Sequence, residues 1–470
     1  METIINKLAD YTKRAPDAAI LYDETHSGGV TYAQLDDLSG RVYAYLKAHG
    51  IGREDFVLID LPRGVLPVIA MIGVWKAGAA WALVEDTYAP ERITYIRSDC
   101  SCKLELSAEN WDEVMRTAPR EGFETVDAHD AAYAIYTSGT TGNPKGVLHE
   151  YGNLDRAIQS IRLNGEIPFN EKDRLATLAP MNFVATVIVI LAALNVFCGK
   201  NFIVSYATIK NPTALAKFFL TKRITITFLT PSYVRMLGNK TGPFLRMLFV
   251  GSEPANNIYN KNLDLINIYA CSESGFAVGV FQIDKAYETC PIGKPAVETR
   301  ITLIGEDGNE VKEGEVGELC FENPYVRGYI HLPAETEKAF RNGVPQGGFS
   351  GEIGVQRLIR LGDGDIIPVK AVLRFLVVMK FRLLPVIIVK AVKVILIVVI
   401  LIPQIFQHII SVRRYLGIGI LRQPDEIRHA VGAQVPQLVH RGIAGVVGVD
   451  HFVVVRGNKA VVIAPAPQQH

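Results

Sequence analysis

Residues 131–154 read AAYAIYTSGTTGNPKGVLHEYGNL, and this stretch decides the fold. Its first part, Ala131 to Tyr136, is an apolar run with the length of a buried strand. The run changes abruptly into TSGTTGNPKG at 137–146, which contains three glycines, four hydroxyl side chains and one lysine. A strand that opens into a loop of this composition predicts a site for an anion at the end of the strand.

The loop has the chemistry of a phosphate site. Glycines adopt backbone angles that other residues avoid, so successive amides can point at one anion. Pro144 stiffens the approach to Lys145, whose ammonium is a compact charge for phosphate oxygens. The pattern is not a Walker loop, because no Gly-Lys-Ser/Thr opens a helix. A polar surface turn between a strand and a helix is the alternative, but a turn needs neither four hydroxyls nor a lysine.

Composition divides the chain in two. The 470 residues suffice for two or more domains, and a net charge of +1 gives no whole-chain field that favours nucleic acid. Residues 366–470 hold 13 Lys and Arg against three acidic residues, and 38 of these 105 residues are Val or Ile. The first 365 residues hold 36 basic against 45 acidic residues. The difference in composition therefore indicates that the two parts differ in structure.

Cysteine spacing and the N-terminal stretch bear on the compartment. Of the six cysteines only Cys100 and Cys102 are close in sequence, and no nearby His or Cys completes a zinc pattern. We therefore expect free thiols in a reducing cytosol. Residues 1–16 carry charge throughout and lack the apolar core of a signal peptide, which also predicts a cytoplasmic location.

Helical and strand patterns alternate along the first half of the chain. Residues 1–22 predict an amphipathic helix and a strand. The stretch 30–35 leads into a second predicted helix, with Leu38, Val42, Tyr45 and Leu46 on one face. FVLIDL at 56–61 is typical of a buried strand, and the helix after it is expected to end near Gly78. After the loop, Asn153 is expected to cap a further helix. This alternation predicts a parallel, doubly wound α/β sheet.

Several motifs in one order carry a family resemblance. They are VTYAQL (30–35), WKAGAAWALVEDTYAPERITYI (75–96), YTSGTTGNPKG (136–146), NIYACSE (267–273) and GELCFENPYVRGYIHLP (317–333). The set resembles the adenylate-forming, or AMP-dependent synthetase and ligase, superfamily, and is most like an adenylation domain of a nonribosomal peptide synthetase. The resemblance covers about residues 30–340.

The resemblance implies a fold and a domain plan. We expect a large domain at 1–340, built from two doubly wound α/β subdomains and a small β subdomain, at about 1–130, 131–285 and 286–340. Residues 341–470 are expected to form an atypical Val/Ile-rich basic tail of uncertain fold.

The resemblance also implies an activity. It is the ATP-dependent activation of a carboxylic acid as an acyl-adenylate, with magnesium as cofactor and release of pyrophosphate. A thiol then captures the acyl group, from coenzyme A or from the phosphopantetheine of a carrier protein, which makes a carrier protein an expected partner.

Residue roles carry over by motif. Lys145, Glu273 and Thr141 are expected to be catalytic. Tyr269 is expected to stack on adenine, and Glu273 to hold magnesium, because a carboxylate is the hard oxygen ligand that magnesium prefers. The expected nucleotide-binding set is Thr137, Ser138, Gly139, Thr140, Thr141, Gly142, Lys145, Gly251, Ser252, Glu253, Tyr269 and Glu273.

The expected acyl pocket is apolar. Its expected members are Phe183, Val184, Ile188, Phe228, Val250 and Phe276; the same alignment also brings in Ala185, Leu248, Ile268 and Ala277. In the family an aspartate that anchors a substrate α-amino group often stands where this chain has Val184. We therefore predict a hydrophobic carboxylic acid without a free α-amino group, such as an aryl, branched keto or short fatty acid. Decay of an unused pocket is the alternative.

Beyond about residue 340 the resemblance ends. Gly362-Asp363 shares only two residues with the family's ribose-binding turn, so the role of Asp363 stays open, and no second catalytic lysine is recognisable. We expect that this tail does not supply the transfer to a thiol.

The tail admits three interpretations. Residues 385–403, PVIIVKAVKVILIVVILIP, suggest a C-terminal membrane anchor, although Lys390 and Lys393 are costly in hydrocarbon. A β-rich domain is the second interpretation, and an out-of-frame product is the third. The absence of Thr and the basic bias after residue 365 favour the third.

Two other functional classes stay open beside the enzyme. One is a catalytically impaired remnant that at most binds nucleotide, since part of the catalytic apparatus is not recognisable. The other is a membrane-anchored binding protein, which depends on 385–403 alone.

Overall fold

A computed structural model describes residues 3–137, 143–163, 165–238, 240–305, 307–311 and 316–341, together with the backbone of strands at 349–360, 366–368, 452–456 and 459–463. The chain divides into two compact bodies, Met1–Phe375 and Leu376–His470. In the second body the described residues form one antiparallel hairpin. The loop residues 138–142, the apolar stretch 385–403 and Asp363 lie outside the described residues.

The helices of the described residues all lie in the first body. In chain order they are α1 (Ile4–Arg14), α2 (Tyr32–Ala48), α3 (Val65–Lys76), α4 (Pro90–Asp99), α5 (Trp111–Arg116), α6 (Tyr151–Gln159), α7 (Val184–Asn195), α8 (Tyr206–Ile209), α9 (Pro212–Thr221), α10 (Pro231–Leu237) and α11 (Pro333–Ala339).

The strands of the described residues fall into four sheets. In chain order they are β1 (Ala19–Tyr22), β2 (Val30–Thr31), β3 (Phe56–Asp60), β4 (Ala80–Leu83), β5 (Leu104–Ser107), β6 (Ala131–Thr137), β7 (Lys145–Glu150), β8 (Arg174–Thr177), β9 (Lys200–Ile203), β10 (Ile226–Leu229), β11 (Met247–Val250), β12 (Asp264–Ala270), β13 (Ala277–Ile283), β14 (Lys294–Pro295), β15 (Ile301–Ile304), β16 (Val316–Asn323), β17 (Val326–Tyr329), β18 (Phe340–Arg341), β19 (Phe349–Arg360), β20 (Ile366–Pro368), β21 (Phe452–Arg456) and β22 (Lys459–Ile463).

The largest sheet has nine strands in the order β14-β13-β12-β11-β10-β8-β9-β1-β2. The six strands from β12 to β1 pair in parallel, and antiparallel strands close both edges. The sheet is buried on both faces, since β10 and β11 carry only buried side chains. This pattern is typical of a parallel sheet covered by helices.

The second sheet has six strands in the order β17-β7-β6-β4-β3-β5. β6 pairs in parallel with β4 and antiparallel with β7. The predicted phosphate loop therefore joins two antiparallel strands, and Lys145 begins the second of them. The sequence analysis expected a helix capped by Asn153 and did not predict the strand β7 between the loop and that helix.

The small sheet is antiparallel, with the order β15-β16-β19-β18 and β20 paired to β19. Together the three sheets confirm the predicted fold class: two doubly wound α/β sheets and a small β unit. They are interleaved along the chain rather than consecutive. β1 and β2 join the nine-stranded sheet, and β17 joins the six-stranded sheet through β7.

Local capping explains the first helices. Thr3 and Thr31 each accept a hydrogen bond from a backbone amide three residues on, and the side chains of Asn6 and Gln34 bond back to them. These capping boxes satisfy amides that have no partner within the helix. Ile4, Ile5 and Leu8 bury the inner face of α1, as their spacing predicts.

Asn153 does not cap a helix. α6 begins at Tyr151 after Glu150, and Asn153 is fully buried within it. Its Nδ2 donates to Tyr133 Oη at 3.0 Å and lies 3.1 Å from His149 Nδ1, and its Oδ1 accepts from Asn323 Nδ2 at 3.0 Å. The Asn153 side chain faces β6 and β7 instead of the helix terminus, so its hydrogen bonds are made to buried residues.

These contacts form a buried polar node of Tyr133, His149, Asn153, Ser274 and Asn323. Asn323 Nδ2 also donates to the Ser274 carbonyl at 2.7 Å, and its Oδ1 accepts from the Tyr325 amide. The His149 ring stacks on Tyr133 at 4.6 Å, which stacks on Trp81 at 5.1 Å. The polar node joins strands of two sheets to the turn after β12.

A second contact joins the two large sheets. The Arg63 guanidinium, just after β3, donates to the carbonyls of Thr177, Ala179 and Val204, at 2.6 to 3.0 Å. Glu85, after β4, is buried and accepts from the Asn182 amide and the Tyr206 hydroxyl. Each buried charge is thus satisfied by hydrogen bonds, which its burial requires.

A disulfide corrects the expectation that all cysteines are free thiols. Cys100 and Cys102 are bonded to each other, with their Cα atoms 5.4 Å apart, whereas the sequence predicted free thiols. Ser101 has a positive φ of 51°, which reverses the chain between them. Cys198, Cys271 and Cys290 are free thiols.

Among the helices that the structure describes, none has both the length and the apolar character to cross a membrane.

We predict that the polar node makes stability depend on pH. Burial lowers the pKa of His149 to about 3, whereas a free imidazole titrates near 6.5. Between these values the unfolded chain binds a proton that the folded chain excludes, so stability is complete above about pH 6.5 and falls as pH drops. At pH 5.5 the loss is about 1.4 kcal/mol. His149→Phe removes this loss.

The measurement is urea unfolding at pH 7.5 and 5.5, followed by tryptophan fluorescence. The wild type should lose about 1.4 kcal/mol more than His149→Phe between the two pH values. His331→Phe, at an exposed position, should behave like the wild type. Equal losses in the wild type and His149→Phe would mean that His149 does not exclude the proton.

Candidate functional site

The carboxyl ends of parallel strands from both large sheets supply the predicted site residues. β6 ends at Thr137, β11 runs into Gly251, and β12 runs into Cys271. Loops at such ends bind ligands in doubly wound folds, because the chain leaves each strand there without covering the sheet edge.

Antiparallel pairing fixes the start of β7. Lys145 lies directly opposite Thr137 in the register, and the Thr137 hydroxyl donates to the Lys145 carbonyl at 3.5 Å. The two ends of the predicted phosphate loop are therefore adjacent. Ser138, Gly139, Thr140, Thr141 and Gly142 stay predictions, since they lie outside the described residues.

The Lys145 ammonium has two neighbours that sequence reasoning missed. Its Nζ lies 2.7 Å from Glu335 Oε2 and 5.3 Å from the centre of the Tyr329 ring. Its side chain is only 16% exposed. Hydrogen bonds from Lys145 and Lys338 hold the pKa of the Glu335 carboxyl below its usual range. No local signal marks this pair, because Glu335 is 190 residues further along the chain.

Tyr329 links the lysine to the predicted magnesium ligand. Its hydroxyl donates to Glu273 Oε1 at 2.7 Å, while its ring faces Lys145. Burial, followed by the nearby Glu273 charge, raises the pKa of Tyr329, so the hydroxyl keeps its proton and remains a donor. Lys145 and Glu273 thus contact the same tyrosine, Lys145 at the ring and Glu273 at the hydroxyl.

A short turn positions Glu273. The Ser274 hydroxyl donates to the Cys271 carbonyl at 2.8 Å, and the Cys271 amide donates back to it at 3.2 Å. Gly275 follows with a positive φ of 67°, and a Cβ there would lie 2.0 Å from Asn153 Nδ2. The turn is therefore packed directly on the polar node.

The predicted adenine-side residues lie at neighbouring strand ends. Tyr269 is half-buried near the end of β12, and burial raises its pKa. Gly251 and Ser252 follow β11, and Ser252 has a positive φ of 68°. Glu253 is exposed, and its Oε2 accepts from the Ser232 amide at 3.1 Å and from the Ser232 hydroxyl. The carboxylate of Glu253 thus stands at the start of α10.

Glu273 provides a single carboxylate, which matches a common way of binding magnesium. Among the described residues, no group of three or more His, Cys, Asp or Glu side chains could enclose a metal. Magnesium is commonly held by one or two carboxylates together with substrate phosphates and water. A single carboxylate on an ordered turn fits that mode.

An apolar cavity of about 320 Å³ lies beside the turn. One face of α7, the ends of β10 to β12 and the turn itself surround it. None of its described lining residues is charged. They are Ile161, Phe169, Phe183, Val184, Ala185, Ile188, Val189, Ala192, Phe228, Phe249, Ser252, Ile268, Ala270, Cys271 and Ser272.

Four of the six residues first expected in the acyl pocket line this cavity: Phe183, Val184, Ile188 and Phe228. The structure corrects Val250, because side chains alternate along a strand. Phe249 faces the cavity, whereas Val250 and Leu248 pack on the opposite face of β11.

Phe276 is also a correction. It lies past the turn, edge-on to Phe321 at 6.1 Å and under the Arg156 guanidinium at 4.6 Å. The helical spacing of Val184 and Ile188 could have indicated Ala192 as a further lining residue.

Cys271 lines the cavity with a half-buried free thiol. Burial, reinforced by the Glu273 charge, raises the pKa of Cys271 well above its usual range. A protonated thiol in such surroundings packs as a small apolar side chain.

Comparison with known proteins identifies the family. The AMP-binding enzyme family matches residues 8–330, and the chain belongs to this family. The chain is 30% identical to surfactin synthase subunit 1 of Bacillus subtilis (strain 168) over 356 residues, which are 69% of this chain and 10% of that protein. It is 28% identical to bacitracin synthase 1 of Bacillus licheniformis over 349 residues, 70% of this chain and 6% of that protein. The chain thus spans a tenth or less of these curated relatives.

Solved structures share the fold. The N-terminal subdomain of Klebsiella oxytoca NpsA, in complex with 3-hydroxyanthranilyl-AMSN, superposes with a TM-score of 0.69 at 21% identity, covering 78% of this chain and all of that one. The inhibitor-bound N-terminal domain of Mycobacterium tuberculosis FACL13 gives 0.67 at 21% identity, covering 79% of this chain and all of that one. The predicted resemblance to adenylate-forming enzymes is confirmed.

We predict that Gly251 is required for the close approach of β11 to β12. A Cβ at this position would lie 2.6 Å from the Ile268 carbonyl oxygen, which is backbone and cannot swing aside. Gly251→Ala should lower the free energy of unfolding by about 1–3 kcal/mol, the usual cost of overpacking. Urea unfolding measures the change.

Gly28→Ala is the matched control, because a Cβ there meets nothing within 4 Å. Its stability should stay within about 0.5 kcal/mol of the wild type. Equal stability of the two variants would contradict the assigned contact.

Proposed function

We propose that this chain activates a carboxylic acid with ATP, forming an acyl-adenylate and releasing pyrophosphate. The observation that carries the proposal is the convergence of Lys145 and Glu273 on Tyr329, in a chain of the AMP-binding enzyme family. The apolar cavity, which the turn 271–274 helps to line, is the proposed acyl site.

Lys145 is the proposed phosphate-binding cation. Its ammonium is largely withdrawn from water, so it interacts more strongly with an anion than an exposed lysine does. The proposed loop, Thr137 to Gly142 with Thr141 as a catalytic donor, would add hydroxyl and amide hydrogen bonds at the phosphates. Tyr269 would stack on the adenine ring.

Glu273 is the proposed magnesium ligand. Tyr329 donates to one carboxylate oxygen of Glu273 and leaves the other available to a metal. Magnesium bound there would neutralise charge on the phosphate oxygens.

The reaction needs positioning and charge stabilisation. A carboxylate oxygen of the acid attacks the α-phosphorus of ATP and forms the mixed anhydride. The bond from the α-phosphorus to the bridging oxygen breaks, and that oxygen leaves with pyrophosphate. Lys145 stabilises negative charge that builds on the phosphate oxygens in the transition state.

The cavity supports an apolar acid as substrate. No described lining residue is charged, so a substrate ammonium would be buried there without a partner, at a cost of several kcal/mol. An apolar chain or ring instead gains about 25 cal/mol for each Å² removed from water. The NpsA complex supports an aryl group among the candidates, since its ligand carries an aryl acyl group.

A thiol is the proposed acceptor of the acyl group. It belongs to coenzyme A or to the phosphopantetheine of a carrier protein. The peptide synthetases among the relatives support this step.

Removing either charged side chain should weaken nucleotide binding. Lys145→Ala and Glu273→Ala each lose a charge-assisted contact of about 1.5–3 kcal/mol, which corresponds to a Kd for Mg-ATP about 10 to 100 times higher. Isothermal titration calorimetry measures the affinity.

Lys172→Ala and Glu171→Ala are matched controls at exposed positions outside the site, and they should bind like the wild type. Unchanged affinity in both site variants would contradict the assigned roles.

ATP–pyrophosphate exchange should favour acids that lack an α-amino group. Matched pairs isolate the effect: 3-phenylpropanoic acid against phenylalanine, and 4-methylpentanoic acid against leucine. The acid without the amine should exchange at least about 100 times faster in the better pair, because an unpaired buried ammonium costs about 3 kcal/mol or more.

Preference for an amino acid in both pairs would contradict the proposed substrate class. If every acid is inactive while Mg-ATP still binds, the chain is the impaired remnant that the sequence left open.

A further inference from the structure

Glu335 contacts the cation that the proposed reaction needs. Its Oε2 lies 2.7 Å from Lys145 Nζ, and its Oε1 lies 3.2 Å from Lys338 Nζ on the next turn of α11. The carboxylate therefore bridges two lysines. The contact with Lys145 is the more shielded of the two, with the lysine side chains 16% and 74% exposed.

The start of α11 is held against β17. The Tyr329 amide donates to Thr336 Oγ1 at 2.9 Å, and Gly328 leaves the room that the Thr336 methyl group fills. A Cβ on Gly328 would lie 2.1 Å from that methyl carbon. Glu335 adjoins Thr336, so its carboxylate is presented to Lys145 by a docked helix.

The end of α11 is held as well. Phe340, directly after the helix, is buried with Val147 and Val326 and packs edge-on to Tyr329 at 5.5 Å. The segment from Tyr329 to Phe340 thus covers the start of β7. A carboxylate fixed in this way is an anion already bound at the lysine.

We propose that Glu335 is a competing anion, which occupies the phosphate position at Lys145 until nucleotide displaces it. The proposal rests on the proposed function, because it takes Lys145 as the phosphate-binding cation. A carboxylate oxygen at 2.7 Å from the ammonium stands where a phosphate oxygen must come. The ammonium has three donors, but a phosphate on the same nitrogen would bring a second negative charge close to the carboxylate. Like charges at such a distance repel, so the two anions compete for Lys145.

Lys338 gives the displaced carboxylate a second partner. Residues three apart on a helix are neighbours, and Glu335 already touches Lys338. When a phosphate binds Lys145, the Glu335 carboxylate remains paired with Lys338 and moves away from the site. Nucleotide binding is thereby coupled to the position of the Glu335 side chain.

The test uses Glu335→Gln in the full chain. This variant keeps the size of the side chain and removes its charge. Its Kd for Mg-ATP should be about 3 to 10 times lower than that of the wild type, the range expected when a partly exposed charge pair no longer competes. Its Kd for adenosine, which has no phosphate, should not change. Calorimetry provides both values.

Glu337→Gln is the matched control. Glu337 is exposed, lies on the same helix and carries the same charge, so the variant should bind Mg-ATP like the wild type. An equal gain in both variants would show a general charge effect and overturn the proposal. A gain for adenosine as large as for Mg-ATP would show that α11 opens generally, which also overturns it.

A second readout is independent of nucleotide. The rate at which an N-hydroxysuccinimide acetate labels Lys145, read by peptide mass spectrometry, should rise several-fold in Glu335→Gln and stay constant in Glu337→Gln. If labelling is faster but the Mg-ATP affinity is unchanged, the ion pair between Glu335 and Lys145 is supported and the proposed competition is overturned. The proposed function is not affected by that outcome. If Mg-ATP binds to neither wild type nor variant, the proposed function fails and the competition fails with it.

Discussion

The structure depends on one buried amide. Asn153 donates to Tyr133 and to His149 and accepts from Asn323, all without access to water. Each of these bonds is made in a low-dielectric interior, where an unmet partner costs about 1–3 kcal/mol. The partners come from β6, β7 and the end of β16. A side chain of another shape at 153 would leave groups of two sheets unsatisfied at once.

Through Asn323 the same polar node reaches the turn that carries Glu273. Asn323 donates to the Ser274 carbonyl, and the Ser274 hydroxyl closes the turn on Cys271. The position of Glu273 is therefore set by strands that lie far from it in sequence. Arg63 and Glu85 add independent contacts between the two large sheets, so their relative position does not depend on apolar packing alone.

Sequence patterns predicted the features that depend on neighbouring residues alone. The strand Ala131–Thr137, the helix Ile4–Arg14 and the end of α3 at Gly78 follow from periodicity and capping, which need only neighbouring residues. The pairing of β17 with β7 and the contacts of Tyr329 and Glu335 were not predicted, because they join residues 56 to 190 positions apart. Val250 shows a different limit: a one-residue slip in a strand exchanges its two faces.

The turn after β12 couples the two halves of the proposed site. Cys271 and Ser272 line the apolar cavity, which is the proposed acyl site, whereas Glu273, the next residue, contacts Tyr329. Three consecutive residues cannot move independently when Ser274 closes the turn at both ends. A change at Cys271 or Ser272 is therefore expected to shift the Glu273 carboxylate as well. Under the proposed function, the fit of the acid and the placement of the Glu273 carboxylate therefore depend on the same turn, which packs on the polar node.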